Sequence, residues 1–207
     1  RNATVNGTTA SPVVNIQGNG IVGGLVGDKN GKGSNTFDLD GAVVTNVRIA
    51  SGDSSTLGGI AGKLSHAALQ GANFKGTLTV AGKDVIVGGI AGYSLDAILY
   101  QPIISPTFQL TLTFGDSAIG GIVGISEASQ PVSAMDFGKF IPLYAGVYEA
   151  NVPDVLIEVT GSGQSANVFA GTIAGQLNGA SIYNSTSAGD LRVTGVKTAT
   201  IGGVAGF

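Results

Sequence analysis

The chain has 207 residues, enough to bury a substantial core within a single domain. With 43% of residues hydrophobic and 11% charged it is not a disordered polymer, and a net charge of −3 without a basic patch argues against a nucleic-acid partner. Cysteine is absent, which excludes disulfides, thiolate nucleophiles and cysteine-held metals, and no run of about 18 apolar residues is present, so no membrane insertion is expected.

Residues 1–19 fit no repeat and are expected to cap one end. From there a five-residue phrase returns along the chain: GGLVG at 23–27, then variants starting at Gly58, Gly88, Gly120, Gly171 and Gly202. The intervals are 35, 30, 32, 51 and 31 residues, a period that marks a solenoid or an array. The 35 glycines do not fall at every third position, so the repeat is not collagen-like. Before each later phrase lies a short alternating segment, in chain order 46–50, 77–81, 111–114, 156–160 and 190–194. Period-two alternation predicts half-buried strands, with Val47/Ile49, Leu78/Val80, Leu112/Phe114, Ile157/Val159 and Leu191/Val193 facing inward. A second apolar ladder follows each phrase (Ala67/Leu69, Ala97/Leu99, Ala180/Ile182). The phrase itself supplies a third, running Leu25, Ile60, Ile90, Ile122, Ile173 and Val204. Three ladders per turn predict an all-β fold, a right-handed parallel β-helix of about five to six coils, built as one domain over 1–207. The residue before each phrase and the third residue within it both want the interior, so the glycine pair is expected to form a bend or bulge that resets the alternation.

The continuation after the phrase, clearest in GTIAGQLNGASIYNSTSAGDLRVTG at 171–195, resembles the GLUG repeat of bacterial surface proteins, and Gly24-Leu25-Val26-Gly27 carries that signature literally. The resemblance covers the chain from about residue 20 onward, departing where SLDAILYQPIISPTFQ lacks the Asn-Ser element. It implies an extracellular or cell-surface location and a segment of an adhesin or surface stalk. The implied role is a repeat scaffold for a host or neighbouring-cell surface protein or glycan, without enzymatic activity. A non-catalytic domain of a secreted protease is the alternative, followed by a polysaccharide-active β-helix enzyme, which requires acids clustered on one face. The repeat stops partway through a unit, so a longer parent chain or end-to-end self-association is expected.

The long interval between Gly120 and Gly171 predicts an insertion within 133–153, holding Phe137, Phe140, Tyr144 and Tyr148. Long excursions from a rigid scaffold commonly carry binding, and these four aromatics are the candidate ligand-binding residues; a flap packed over the solenoid is the competing reading. Asp53, Asp84 and Asp116 recur four or five residues before the phrase and are expected to stack at one corner. Either a cation bridges them, calcium suiting an all-oxygen site, or they are solvated turn residues with staggered side chains. His66, the only histidine, has Gly31, Asp96, Ala128 and Gly179 as repeat equivalents, a poor basis for a triad or a zinc site. Aligning 156–159 with 190–193 places Glu158 beside Arg192 on successive rungs, close enough for an ion pair.

Overall fold

The computed structural model describes residues 3–6, 14–31, 39–129, 145–162 and 166–207, and all regular structure in these is β-strand. Four parallel sheets run along a solenoid of about five turns. The second coil shows the plan. Thr56–Gly58 lies in sheet B, Ala61–Ser65 in sheet C, Ala68–Gln70 in sheet D and the long Asn73–Gly82 in sheet A. Each strand pairs with its counterpart one coil above and below, so backbone groups are satisfied between rungs about 4.8 Å apart. From the expected cap, Thr4–Asn6 and Val14–Gln17 extend sheet A by pairing with Val43–Ser51.

The glycine phrase makes the corner between sheets B and C. Its first glycine ends the B strand, and the next two residues form a bend before the C strand starts. None of the phrase glycines has a positive φ. What excludes a side chain is proximity: a Cβ on Gly58 would sit 1.8 Å from the Ala61 carbonyl oxygen, and one on Gly59 would sit 2.1 Å from the Gly89 oxygen in the next coil. The bend turns both Leu57 and Ile60 inward, and both are fully buried. In the fifth coil Thr172 takes the second glycine's place and its hydroxyl donates to the Gly203 carbonyl oxygen.

Alternation located the inward face of sheet A correctly except at Phe114, and it did not give every register. Leu78 pairs with Ile49 below it rather than with Val47, a shift of two that leaves every side chain on its expected face. The slack is taken up at Asn46, which has φ 54° and is skipped by the pairing. In the third coil the shift is four. The strand is Thr107–Leu112, pairing Leu78 with Phe108 and Val80 with Leu110, so Phe108 is fully buried while Phe114, expected inside, is 47% exposed. Thr77 and Thr79 therefore lie against Thr107 and Gln109. The last two coils hold the expected register: Glu158 pairs with Arg192, and their side chains approach to 3.5 Å.

The insertion is shorter at its C-terminal side than 133–153. Gly146–Tyr148 is a sheet D strand between Ile98–Tyr100 and Ser181–Tyr183, and Asn151–Gly161 is the sheet A strand that follows. The extra residues thus fall between Glu127, where the sheet C strand ends, and Gly146. Ala145 and Val147 supply the buried ladder positions of this coil.

Candidate functional site

At the corner between sheets D and A the coils carry two different chemistries. Each D strand ends on an outward residue, and the chain then turns through a left-handed backbone position. In the first two complete coils these pairs are Asp40-Gly41 and Gln70-Gly71. In the last three they are Tyr100-Gln101, Tyr148-Glu149 and Tyr183-Asn184, with φ of 50°, 51° and 46° at the second residue. Glycine adopts that conformation freely, as Gly41 and Gly71 do here, whereas holding a glutamine or glutamate in it costs of the order of 1 kcal/mol.

The three tyrosines are register partners on consecutive rungs. Tyr148 and Tyr183 have ring centroids 6.3 Å apart at a 42° tilt. Tyr148 is only 6% exposed, while Tyr183 presents 58% of its surface to solvent. Beneath them, the Tyr100 hydroxyl (3.0 Å) and the Gln101 amide (2.9 Å) both donate to Glu149 Oε2. Burial, then the bond and negative charge of Glu149, raise the Tyr100 pKa above its ordinary value. The corner thus combines a tilted pair of rings, amides and a carboxylate, and the backbone of Glu149 is held to the next coil by its N–H donating to the Tyr183 carbonyl oxygen.

Of the expected binding residues, Tyr148 belongs to this column as a member of the solenoid wall rather than of the insertion. Phe137, Phe140 and Tyr144 lie outside the described residues. Tyr100 and Tyr183 were passed over in the sequence, although a signal was present: ILYQ, GVYE and SIYN share an apolar residue, a tyrosine and a polar residue. Placing 146–153 in the insertion hid the middle member and so broke the series.

The acidic column forms at the A–B corner, with each carboxylate accepting a hydrogen bond from the next coil, two from backbone and one from a side chain. The Lys83 N–H donates to Asp53 Oδ1 (3.2 Å), the Asp116 N–H to Asp84 Oδ1 (3.2 Å), and the Asn167 amide to Asp116 Oδ1 (2.7 Å). Counting back from the Thr56–Ile86–Ala118 rung, Asp84 and Asp116 share a position and Asp53 lies one residue further back. Each carboxylate is turned toward the next coil rather than toward a common point, and among the described residues no three His, Cys, Asp or Glu side chains group to hold a metal ion. Glycine accompanies the arrangement, since a Cβ on Gly115 would lie 1.9 Å from Asp84 Oδ1.

At the C–D corner His66 and Asp96 occupy the equivalent positions expected of them, both with left-handed backbones. Asp96 accepts from the Ser129 N–H (2.7 Å) and from the Ser129 hydroxyl, and His66 Nδ1 lies 3.7 Å from its Oδ2. The aspartate stands between the other two groups. The serine hydroxyl is bound to the carboxylate rather than to the imidazole, so the order needed to activate a nucleophile is missing. On the outer face of sheet C the Tyr93 hydroxyl donates to Glu127 Oε2, whose other oxygen accepts from the Asn178 amide (3.0 Å). Burial and the glutamate push the Tyr93 pKa up to about 12. No protein-family model, curated protein or solved structure matches the chain.

Proposed function

We propose that the chain is a segment of an extracellular bacterial adhesin or surface stalk, a GLUG-like repeat scaffold that holds a binding surface away from the cell. The observation that carries this reading is the tyrosine and amide column at the D–A corner: a repeated ring-plus-polar pair on a rigid wall, in coils where glycine would serve the turn alone. The interior is apolar and continuous along the rod, so each coil supports only its neighbours and the outer face is free to vary without disturbing the fold. In this reading the chain binds and does no chemistry, and incubation with acidic and neutral polysaccharides releases no new reducing or unsaturated ends. The test is adhesion. Beads coated with the chain are washed over epithelial cells, matrix-protein films and bacterial cell lawns, beside beads coated with a protein of similar size and charge. Retention on at least one surface above the control is the expected result, and equal detachment from all of them removes the proposal.

A further inference from the structure

We infer that the D–A corner of the last three coils binds a linear, neutral polysaccharide lying along the rod axis, a ligand class that rests on the adhesion reading above. The pairs Tyr100-Gln101, Tyr148-Glu149 and Tyr183-Asn184 repeat at the rung spacing of about 4.8 Å, close to the length of one sugar unit in an extended chain. Sugar rings offer apolar C–H faces and a rim of hydroxyls. An aromatic face answers the first and an amide or carboxylate the second; the exposed Tyr183 and the half-buried Tyr100 offer the first, and Gln101, Glu149 and Asn184 the second.

The parts have distinct tasks. Tyr183, exposed by 58%, is the stacking ring; the nearly buried Tyr148 backs it at 6.3 Å and fixes its position. The exposed Asn184 side chain makes no hydrogen bond among the described residues and is free to meet ligand hydroxyls. Glu149 is held by Tyr100 and Gln101, which orients its carboxylate before any ligand arrives. Three of the five coils carry this chemistry, whereas Asp40-Gly41 and Gln70-Gly71 make the same turn without it, so the fold does not demand these residues. The stretches 100–103, 148–151 and 183–186 contain no basic residue and one carboxylate, which disfavours an anionic polymer. A flat protein partner would want a contiguous apolar centre, and here ring and polar group alternate.

The test uses native gels cast with hydroxyethylcellulose, galactomannan or mixed-linkage β-glucan, followed by calorimetry with oligosaccharides of increasing length. Retardation by at least one polymer is expected, with affinity rising up to about three sugar units, the length that spans the three rungs, and then levelling. Tyr183→Ala lowers affinity about tenfold, as truncation of an aromatic anchor does, and Tyr183→Phe restores it. Phe114→Ala, which removes an exposed ring at a different corner, changes nothing. No retardation in any of the three gels by protein that is folded by circular dichroism overturns the inference. So does retardation indifferent to Tyr183→Ala, or abolished by Phe114→Ala. Bead adhesion to a protein film without polysaccharide binding ends this inference and leaves the adhesion reading standing; loss of both ends both.

Discussion

Two phenylalanines six residues apart allow the third coil to be tested directly. Alternation alone placed Phe114 inside, whereas the fold buries Phe108 completely between Leu78 and Ile157 and leaves Phe114 47% exposed. Phe108→Ala deletes a whole ring from the middle of the rod, where neighbours on two rungs cannot collapse to fill the gap, and is expected to destabilise by about 3–5 kcal/mol. Phe114→Ala removes mainly the contact with Lys83, whose Nζ lies 4.4 Å from the ring centroid. An exposed contact of that kind contributes about 0.5–1 kcal/mol. The two variants should therefore differ by about 2 kcal/mol or more, read as urea unfolding midpoints with the slope unchanged. Equal losses, or a greater loss for Phe114→Ala, would refute the pairing of Thr107–Leu112 with Asn73–Gly82 and the inward assignments that follow from it.

Other positions test the corners and the surface. Gly88→Ala puts a Cβ 1.9 Å from the Ala91 carbonyl oxygen and 2.7 Å from Gly124 N, both backbone, and should cost about 3 kcal/mol or more; Gly203→Ala, with nothing within 4 Å, should stay within about 0.5 kcal/mol. Urea midpoints of the two separate a steric role for the phrase from a mere preference for glycine. For Glu158 and Arg192 a double-mutant cycle should give a coupling of about 0.2–1 kcal/mol that fades at high salt, because both side chains are largely exposed; zero coupling at low salt contradicts the register. Tyr93 titrates near pH 12 in the fold against 10.0 for the free side chain, so the neutral form is the one the fold favours. Its contribution is complete below pH 10 and is lost as pH climbs toward 12, which absorbance titration and alkaline unfolding of Tyr93→Phe should both register as the loss of a late-ionising tyrosine.

The His66 column came through from sequence because its members lie at a fixed count from the glycine phrase, with no insertion between. Tyr148 was singled out for its aromatic ring, yet its partners were missed, since the relation among Tyr100, Tyr148 and Tyr183 becomes visible only when the insertion is closed at residue 145. The aspartates were seen as a stack from their spacing. That each turns to accept a hydrogen bond from the next coil, Asp53 and Asp84 from a backbone N–H and Asp116 from the Asn167 side chain, depends on side-chain direction, which spacing does not contain.

What the sequence by itself determined is the class of object: a repeat near 30 residues, alternating strands and a phrase of small residues admit a parallel solenoid and little else. It also determined which face of each strand is inward, because a shift of two residues preserves parity and burial together. Only the tertiary structure decided the register within that parity, the fourth sheet and the true limits of the insertion. These depend on how each corner fits the coil beneath it: a bulge at Asn46, a break at Pro106 or a carboxylate tucked under Gly115 moves the next strand by whole residues. Such adjustments are made between residues some thirty positions apart, where local pattern carries no information about contact.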